Sequence, residues 1–254
     1  MSAGGGLADL AAEIVECRRC PRLVAWREAA AENAPARYAG QAYWGRPLSG
    51  FGDPAARVLI VGLAPAANGG NRTGRMFTGD RSGDFLFGSL FRTGFANQPE
   101  STAADDGLAL HGVYITAVNR CCPPDNKPTP GERDRCLPFL ARELGLLADV
   151  RVVVALGAYA WDGFLRAAAA LGLAAGPGPR PRFGHGAEAV VGRWRLLGTY
   201  HPSQQNTFTG RLTPAMLDQV FERARALGEG REPAPAELPT PPRLSRGRDP
   251  GSRR

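Results

Sequence analysis

The sequence predicts an α/β protein, a three-layer α/β/α sandwich with a central four-stranded parallel sheet. Four segments are continuously apolar rather than alternating, as expected of strands covered by helices on both faces. Stretches with helical apolar spacing separate these segments, and that alternation is typical of a parallel sheet. We expect the strands at residues 57–62, 113–118, 150–157 and 194–201.

The helices are predicted at residues 7–16, 85–93, 131–147 and 158–173, where apolar residues recur at helical spacing. Residues 1–6 are small and are predicted to be a flexible tail. From residue 229 onward the chain is rich in proline, arginine and glycine without an apolar period, which is typical of disorder. One folded domain is therefore expected over residues 7–228. A basic tail such as 229–254 can also add non-specific affinity for DNA.

Composition limits the class of protein. The chain has 254 residues and is 43% hydrophobic, which suffices for a globular core. No apolar run approaches the ~18 residues of a membrane helix, and the first residues lack the pattern of a signal peptide. We therefore expect a cytoplasmic protein that does not bind membranes.

The charge favours a polyanionic partner, because the formal net charge is +7. Of the 31 basic residues only Lys127 is a lysine. Guanidinium groups suit contacts with phosphate, although genomic codon usage explains the same bias equally well.

Five cysteines are poor candidates for disulfides in a reducing compartment. Cys17 and Cys20 form a C-x-x-C pair at the end of the first predicted helix, and Cys121, Cys122 and Cys136 follow about a hundred residues later. Two close thiols are commonly half of a four-sulfur metal site, and the later cysteines can supply the other half. Residue chemistry leaves zinc and an iron–sulfur cluster both open, and the alternative is that the cysteines are buried hydrophobes.

The loop after the first strand, residues 62–87, is rich in glycine and alanine. Such a backbone can approach a flat or anionic ligand closely and offer amide donors. The motif of phosphate-binding nucleotide triphosphatases is absent from this loop. Phe77 is placed either to stack on a base or to anchor the loop. Asp80 precedes an apolar helix, and an aspartate at that position is by default a helix N-cap.

The loop after the last strand reads YHPSQQNTFTGRLT, residues 200–213. His201 leaves the strand and is followed by proline, which restricts the residue before it. The carboxyl ends of parallel strands meet at one edge of the sheet, where ligands bind. This position favours a functional role for His201 over His111 and His185, which lie in polar stretches flanked by glycine.

Three segments together resemble the iron–sulfur uracil-DNA glycosylases, in particular the type B enzymes of family 5. These segments read GLAPAANGGNRTGRMFTGD, RCCPPDNKPTPGERDRC and YHPSQQNTFTGRLT, and their order and spacing also agree with the family. The resemblance runs from about residue 7 to residue 227. It implies a four-stranded parallel sheet between helices, and excision of uracil from DNA without strand cleavage.

The resemblance also implies a [4Fe–4S] cluster with four cysteine ligands, Cys17, Cys20, Cys121 and Cys136. Cys121 is chosen over Cys122 because Cys122 takes the small position before the proline pair of the family pattern. Asn68 stands where a histidine is common in the family.

The implied partner is double-stranded DNA that contains uracil or other deaminated bases, with hypoxanthine and xanthine as candidates, and the protein is expected to be a monomer. His201 corresponds to the family's HPS motif and is expected to stabilise the departing uracil anion. Asp80 is the candidate for orienting water or stabilising the sugar cation. Phe77 is expected to stack on uracil, and backbone amides of the loop, Ala64 among them, to bind its edge.

One side-chain amide is also expected to bind the uracil edge. Asn119 is the first candidate for this role because it leaves the second predicted strand, and Asn126 is its competitor. The loop 204–211 is expected to enter the minor groove of the DNA.

Since only Lys127 could form a Schiff base, the enzyme is predicted to be monofunctional and to leave an intact abasic strand. The alternative function is a non-catalytic nucleic-acid-binding module with a structural zinc site. Brown protein with iron and sulfide would favour the cluster, and colourless protein with zinc would favour the alternative.

Overall fold

The protein is described by a computed structural model that covers residues 6–173 and 179–231. Its centre is a single sheet with strand order β1-β3-β2-β4-β6-β5. The strands are β1 (Phe51–Gly52), β2 (Val58–Gly62), β3 (Val113–Ala117), β4 (Val152–Leu156), β5 (Glu188–Val191) and β6 (Trp194–Thr199).

Four strands, β3, β2, β4 and β6, are parallel and form the middle of the sheet. Ile60 in β2 lies between Ile115 of β3 and Val154 of β4, and all three side chains are fully buried. These are the four strands that the apolar runs predict. Their carboxyl ends meet at one edge of the sheet, as parallel pairing requires.

The four parallel strands form the centre of the sheet as predicted, and the described chain adds two strands that were not predicted, which makes six. The two additional strands pair antiparallel at the two edges, β1 with β3 and β5 with β6. Strand β1 has only two residues, and β5 is largely exposed, with Val190 54% accessible. Neither strand has the continuous apolar run that marks a strand buried on both faces.

Eight helices are described, and they cover both faces of the sheet. They are α1 (Leu7–Val15), α2 (Pro21–Glu32), α3 (Gly70–Thr73), α4 (Arg81–Arg92), α5 (Pro130–Leu146), α6 (Ala158–Ala170), α7 (Gln204–Phe208) and α8 (Pro214–Gly228). Helices α4 and α8 pack on one face, where Leu90 and Phe221 join the core below Ile60. Helices α5 and α6 pack on the other, where Leu140 and Phe164 meet Leu59. The three-layer α/β/α architecture is confirmed.

The helices predicted from apolar spacing are present, and their ends differ by a few residues. Helix α4 begins at Arg81 rather than at residue 85, because the Asp80 side chain caps it there. Helices α2, α3, α7 and α8 were not predicted, and α7 lies inside the segment that was expected to be a loop. Helix α8 begins with Pro214 behind the capping side chain of Thr213.

No helix in the described ranges is long and apolar enough to cross a membrane. The first folded element begins at Leu7 and the last ends at Gly228. The tails predicted at 1–6 and 229–254 lie outside the described residues except for residues 6 and 229–231.

Candidate active site and cysteine cluster

A cavity of about 360 Å³ lies at the carboxyl edge of the parallel strands, and we call it the inner cavity. It lies between the glycine-rich loop after β2 and the loop after β6. Five of the residues singled out from the sequence line it, namely Ala64, Phe77, Asp80, Asn126 and His201. The remaining lining residues are Leu63, Pro65, Ala66, Met76, Ser82, Asp125, Ser203 and Gln205.

Phe77 is held in an unusual backbone conformation at the wall of the inner cavity. Its φ of 55° lies in the left-handed region, which a bulky residue rarely adopts. Two glycines permit this turn. A Cβ on Gly83 would lie 1.8 Å from the Phe77 carbonyl oxygen, and a Cβ on Gly62 would lie 2.7 Å from the Phe77 ring. Strain of this kind is concentrated at functional sites.

Asp80 caps helix α4, and its carboxylate also reaches the inner cavity. One oxygen, Oδ1, accepts a hydrogen bond of 3.0 Å from the backbone N–H of Gly83. The other oxygen lies against Gly69, where an added Cβ would come within 2.0 Å of Oδ2. Burial raises the pKa of Asp80, against the opposing effect of the backbone N–H groups of Gly83 and Ser82. The capping and the catalytic interpretations are therefore compatible.

His201 leaves β6 opposite Phe77, and the centroids of the two rings are 6.2 Å apart. The backbone is fixed on both sides, because Asn206 donates to the His201 carbonyl at 2.8 Å and Gly157 lies beside the His201 Cβ. Burial lowers the pKa of His201 to about 4. The imidazole is therefore neutral at pH 7 and keeps one N–H that can donate.

Asn119 lies behind the inner cavity rather than among the residues that line it. It is fully buried, and its backbone N–H donates to the carbonyl of the lining residue Leu63 at 3.0 Å. The Tyr159 hydroxyl donates to Asn119 Oδ1 at 2.6 Å. Asn119 Nδ2 is buried and has no hydrogen-bond partner among the described residues. A buried donor without a partner is costly, and a ligand group that accepts from it removes this cost.

A second cavity of about 450 Å³, the outer groove, adjoins the inner cavity. The two share Ala66, Asp80, Asp125 and Asn126. Asn126, the alternative to Asn119, therefore lies at the boundary between the two cavities. Asn126 and Asp125 both have left-handed backbone conformations. The other residues that line the outer groove are Trp26, Arg37, Tyr38, Ala67, Asn68, Gly69, Gly79, Arg81, Asp84, Pro123 and Gln204.

Asn68 lines the outer groove and not the inner cavity. Its Oδ1 accepts a hydrogen bond from the Tyr43 hydroxyl at 2.9 Å, and its carbonyl accepts from Arg72 Nε at 2.9 Å. The asparagine at this position therefore ties the glycine-rich loop to the segment around Tyr43.

The four cysteines of the expected ligand set, Cys17, Cys20, Cys121 and Cys136, line one small cavity between α1, α2, α5 and the loop after β3. Cys122 is fully buried and does not line it. Burial raises the pKa of the Cys121 thiol to about 11 and that of Cys136 to about 12. In the described part of the chain, no group of three or more His, Cys, Asp or Glu side chains is arranged to hold a metal ion directly.

Three arginines donate hydrogen bonds to the sulfur atoms in this cavity. Arg27 Nη1 lies 3.1 Å from Cys121 Sγ, the Arg120 backbone N–H lies 3.3 Å from Cys136 Sγ, and Arg135 Nε lies 3.4 Å from Cys20 Sγ. Arg120 is fully buried and is neutralised by Glu143.

Arg27 is only 2% exposed, and its nearest carboxylate is that of Glu28 at 3.9 Å. Arg27 Nε has no partner among the described residues. A buried cation is costly unless an anion compensates it, so this position favours negatively charged sulfur.

Several residues that line the two cavities were not anticipated from the sequence. Trp26 lies in the unpredicted helix α2, and Tyr38 and Arg37 lie in the short 3-10 helix before β1. Tyr159 lines neither cavity but contacts Asn119, and it too was not anticipated; it follows β4, forty positions after that asparagine. Trp26 could have been noticed as an aromatic residue in an otherwise polar segment. Tyr159 has no comparable local pattern in the sequence.

A family model of the uracil DNA glycosylase superfamily matches residues 49–225. A type-5 uracil-DNA glycosylase of Mycobacterium tuberculosis is 54% identical over 225 residues, which are 88% of this chain and 82% of the relative. A type-5 uracil-DNA glycosylase of Thermus thermophilus is 51% identical over 215 residues, which are 84% of this chain and 94% of the relative. A type-4 uracil-DNA glycosylase of Archaeoglobus fulgidus is 30% identical over 155 residues, which are 61% of each chain.

Proposed function

The chain belongs to the uracil-DNA glycosylase superfamily, with type-5 enzymes as its relatives, and from this premise we propose how its residues carry out the reaction. It is a hydrolase that excises uracil from DNA in DNA repair. We propose that the excised base occupies the inner cavity. The observation that carries this proposal is that Phe77, Asp80 and His201 all face that cavity.

A base inside a duplex cannot present its glycosidic bond to an enzyme, so the nucleotide must rotate out of the helix. This costs a few kcal/mol, and least when the base is mispaired, which favours uracil opposite guanine. Double-stranded DNA with uracil or another deaminated base is therefore the proposed substrate, with hypoxanthine and xanthine as further bases. Phe77, fixed by its strained turn, offers the flat surface on which the extruded base stacks.

The departing uracil carries negative charge, and His201 is the proposed donor that stabilises it. A neutral imidazole donates one hydrogen bond without needing a proton from solvent, and burial keeps His201 neutral. A donor fixed before the reaction stabilises the transition state by about 3–4 kcal/mol in comparable sites. The base leaves as an anion with its electron pair on N1.

The sugar left behind is electron-poor, and Asp80 is the proposed carboxylate that acts on it. Burial raises the pKa of Asp80 and makes it a better acceptor for a proton from the attacking water. The same negative charge stabilises the developing sugar cation. Water adds its hydroxyl to C1′ and gives its proton to the carboxylate, so the product is an abasic site.

The uracil edge is the proposed ligand of Asn119 and of the Ala64 region of the loop. The unpaired Nδ2 of Asn119 can donate to the O4 atom of uracil, and this contact removes the cost of the orphaned donor. Asn126 remains the alternative, because it lines the inner cavity directly.

The segment after His201 is the proposed contact with the minor groove of the DNA. Helix α7 ends at Phe208, which is 68% exposed, and Arg81 lies over its ring at 5.4 Å. An exposed apolar ring beside a cation can fill the gap left by the extruded base.

We propose a monofunctional reaction without a strand-cleaving step. Lys127 is the only lysine in the chain, is exposed, and lines neither cavity. An amine that attacks the sugar is therefore not available from a lysine at the inner cavity. Trapping with borohydride tests this directly, because a Schiff base would leave the enzyme covalently attached to the DNA.

A [4Fe–4S] cluster bound by Cys17, Cys20, Cys121 and Cys136 is the proposed cofactor. The donor set fits, because four sulfur atoms line one cavity and three arginines donate to them. When bound, the cluster supplies a cross-link between distant parts of the chain and no electrons, since hydrolysis transfers none. Iron and acid-labile sulfide in the purified protein would support the cluster, and zinc without colour would contradict it.

Incubation with duplexes that carry uracil, hypoxanthine or xanthine, followed by alkali, tests the function. We expect alkali-dependent cleavage at uracil, and cleavage before alkali would contradict a monofunctional reaction. The proposal also includes a monomer in the cytoplasm, which sedimentation and fractionation can test.

A further inference from the structure

The outer groove carries an aromatic surface that the reaction described above does not use. Trp26 lines it and is 40% exposed. Within residues 6–173 and 179–231, no other ring and no guanidinium lies over the Trp26 indole. Tyr38, the second aromatic residue of the groove, differs in this respect, because Arg37 and Arg72 lie over its ring at 4.8 and 4.3 Å.

Helix α2 places Trp26 at the groove, and contacts with other parts of the chain anchor this helix. The helix begins directly after Cys20, and Arg22 binds Glu132 of α5 through two hydrogen bonds of 2.8 Å. The neighbouring residue Arg27 is buried, and its carbonyl accepts a hydrogen bond from Asn71 Nδ2 at 3.1 Å. An indole has only two side-chain torsions, so on an anchored helix it loses little conformational entropy when it binds a ligand.

Polar side chains around Trp26 can bind the phosphate and the base of a nucleotide. Arg37 and Arg81 are exposed at the groove and can contact phosphate oxygens. Asp84 and Asp125 line the same groove and can accept hydrogen bonds from the exocyclic amino groups of a base. The groove therefore combines a stacking surface, cations and acceptors.

We propose that the outer groove is a second nucleobase subsite, in which Trp26 stacks on a base next to the extruded uracil. The inference rests on the proposed binding of uracil in the inner cavity. The two cavities share Asp80, Asp125 and Asn126, so occupants of both would be neighbours along the DNA. Stacking tolerates any base, so this subsite adds affinity and orientation rather than a sequence requirement.

Replacement of Trp26 tests the inference against a matched control in the same chain. Trp44 is 41% exposed, lines neither cavity, and donates its indole N–H to the Pro47 carbonyl. We expect Trp26→Ala to weaken binding of a uracil duplex by about ten- to a hundredfold. Trp26→Phe should recover most of that loss, whereas Trp44→Ala should leave binding within about twofold. An equal loss in Trp26→Phe and Trp26→Ala would overturn the stacking role.

A scan with abasic analogues identifies the base that Trp26 contacts. A series of duplexes carries a tetrahydrofuran in place of one base at each position flanking the uracil, on either strand. The wild-type protein should bind the duplex much more weakly when the base at one particular position is missing. At that position Trp26→Ala should bind the abasic duplex no more weakly than the wild type does. If the losses from Trp26→Ala and from the missing base add at every position, the subsite does not exist. Excision of uracil by the wild-type protein in the same assay tests the proposed function separately.

Discussion

The Tyr159 hydroxyl donates a hydrogen bond of 2.6 Å to Asn119 Oδ1 and so fixes the orientation of this buried amide behind the inner cavity. The Nδ2 group is left without a partner and is free to donate. Uracil presents an acceptor, O4, where cytosine presents an amino group, so the proposed contact with Asn119 Nδ2 would favour uracil.

Tyr159→Phe should therefore slow the excision of uracil without unfolding the protein. One neutral hydrogen bond contributes about 1 kcal/mol, so single-turnover excision should slow by roughly fivefold. Asn119→Leu should slow it far more, because the donor itself is lost. If Tyr159→Phe excises uracil at the wild-type rate, the hydroxyl does not orient the amide.

Asp80→Asn separates the two roles of Asp80. Asparagine caps helices as well as aspartate does, so the melting temperature should stay within a few degrees of the wild type. The charge is lost, however, and single-turnover excision should fall by about a hundredfold or more. Asp134→Asn is the control, because Asp134 is exposed on helix α5 and lines neither cavity, and it should not slow the chemical step. Normal excision by Asp80→Asn would leave Asp80 with the capping role alone.

The pH profile of excision should follow the lowered pKa of His201. In the folded protein this pKa is about 4. The imidazole therefore stays neutral at pH values well below 6.5, which is the ordinary pKa of histidine. Excision should be constant from pH 8 to about pH 6 and should fall only at lower pH. In the unfolded chain His201 takes up a proton near pH 6.5, so its contribution to stability declines as the pH falls from 6.5 toward 4 and is level above 6.5.

His201→Asn retains a donor without an imidazole and should keep part of the activity that His201→Ala loses. A loss of excision centred at pH 6.5 in the wild-type protein would mean that His201 is not desolvated.

Arg27→Met should destabilise the proposed cluster, because the buried guanidinium compensates negative sulfur. We expect less iron per protein, faster loss of visible absorbance in air, and a lower melting temperature. Arg135→Met is the matched control, since that arginine also donates to a cysteine sulfur but is exposed. Equal iron content and equal stability in both variants would mean that the buried Arg27 guanidinium does not stabilise negatively charged sulfur.

The parallel centre of the fold could be predicted because continuous apolar runs mark strands buried on both faces, as at Ile60 and Val154. Strand β5 could not, since an exposed edge strand needs no such run. Helix α2 was missed because its alanine-rich sequence has no clear apolar face, and Trp26 was missed with it.

The candidate site divides in the same way. The positions of Asp80 and His201 at one edge follow from the rule that parallel strands end together. The left-handed turn of Phe77 depends on Gly83, whose missing Cβ leaves room for a carbonyl, and such a close approach is visible only in three dimensions. The orientation of Asn119 depends on Tyr159, which is distant in the chain and carries no local signal.

The most direct test of the inner cavity is a crystal structure of the Asp80→Asn variant bound to a duplex with a uracil–guanine mispair. We predict that the uracil lies against Phe77, with O4 within hydrogen-bond distance of Asn119 Nδ2 and O2 near His201. A uracil that remains stacked in the duplex, or that lies elsewhere on the protein, would contradict the account.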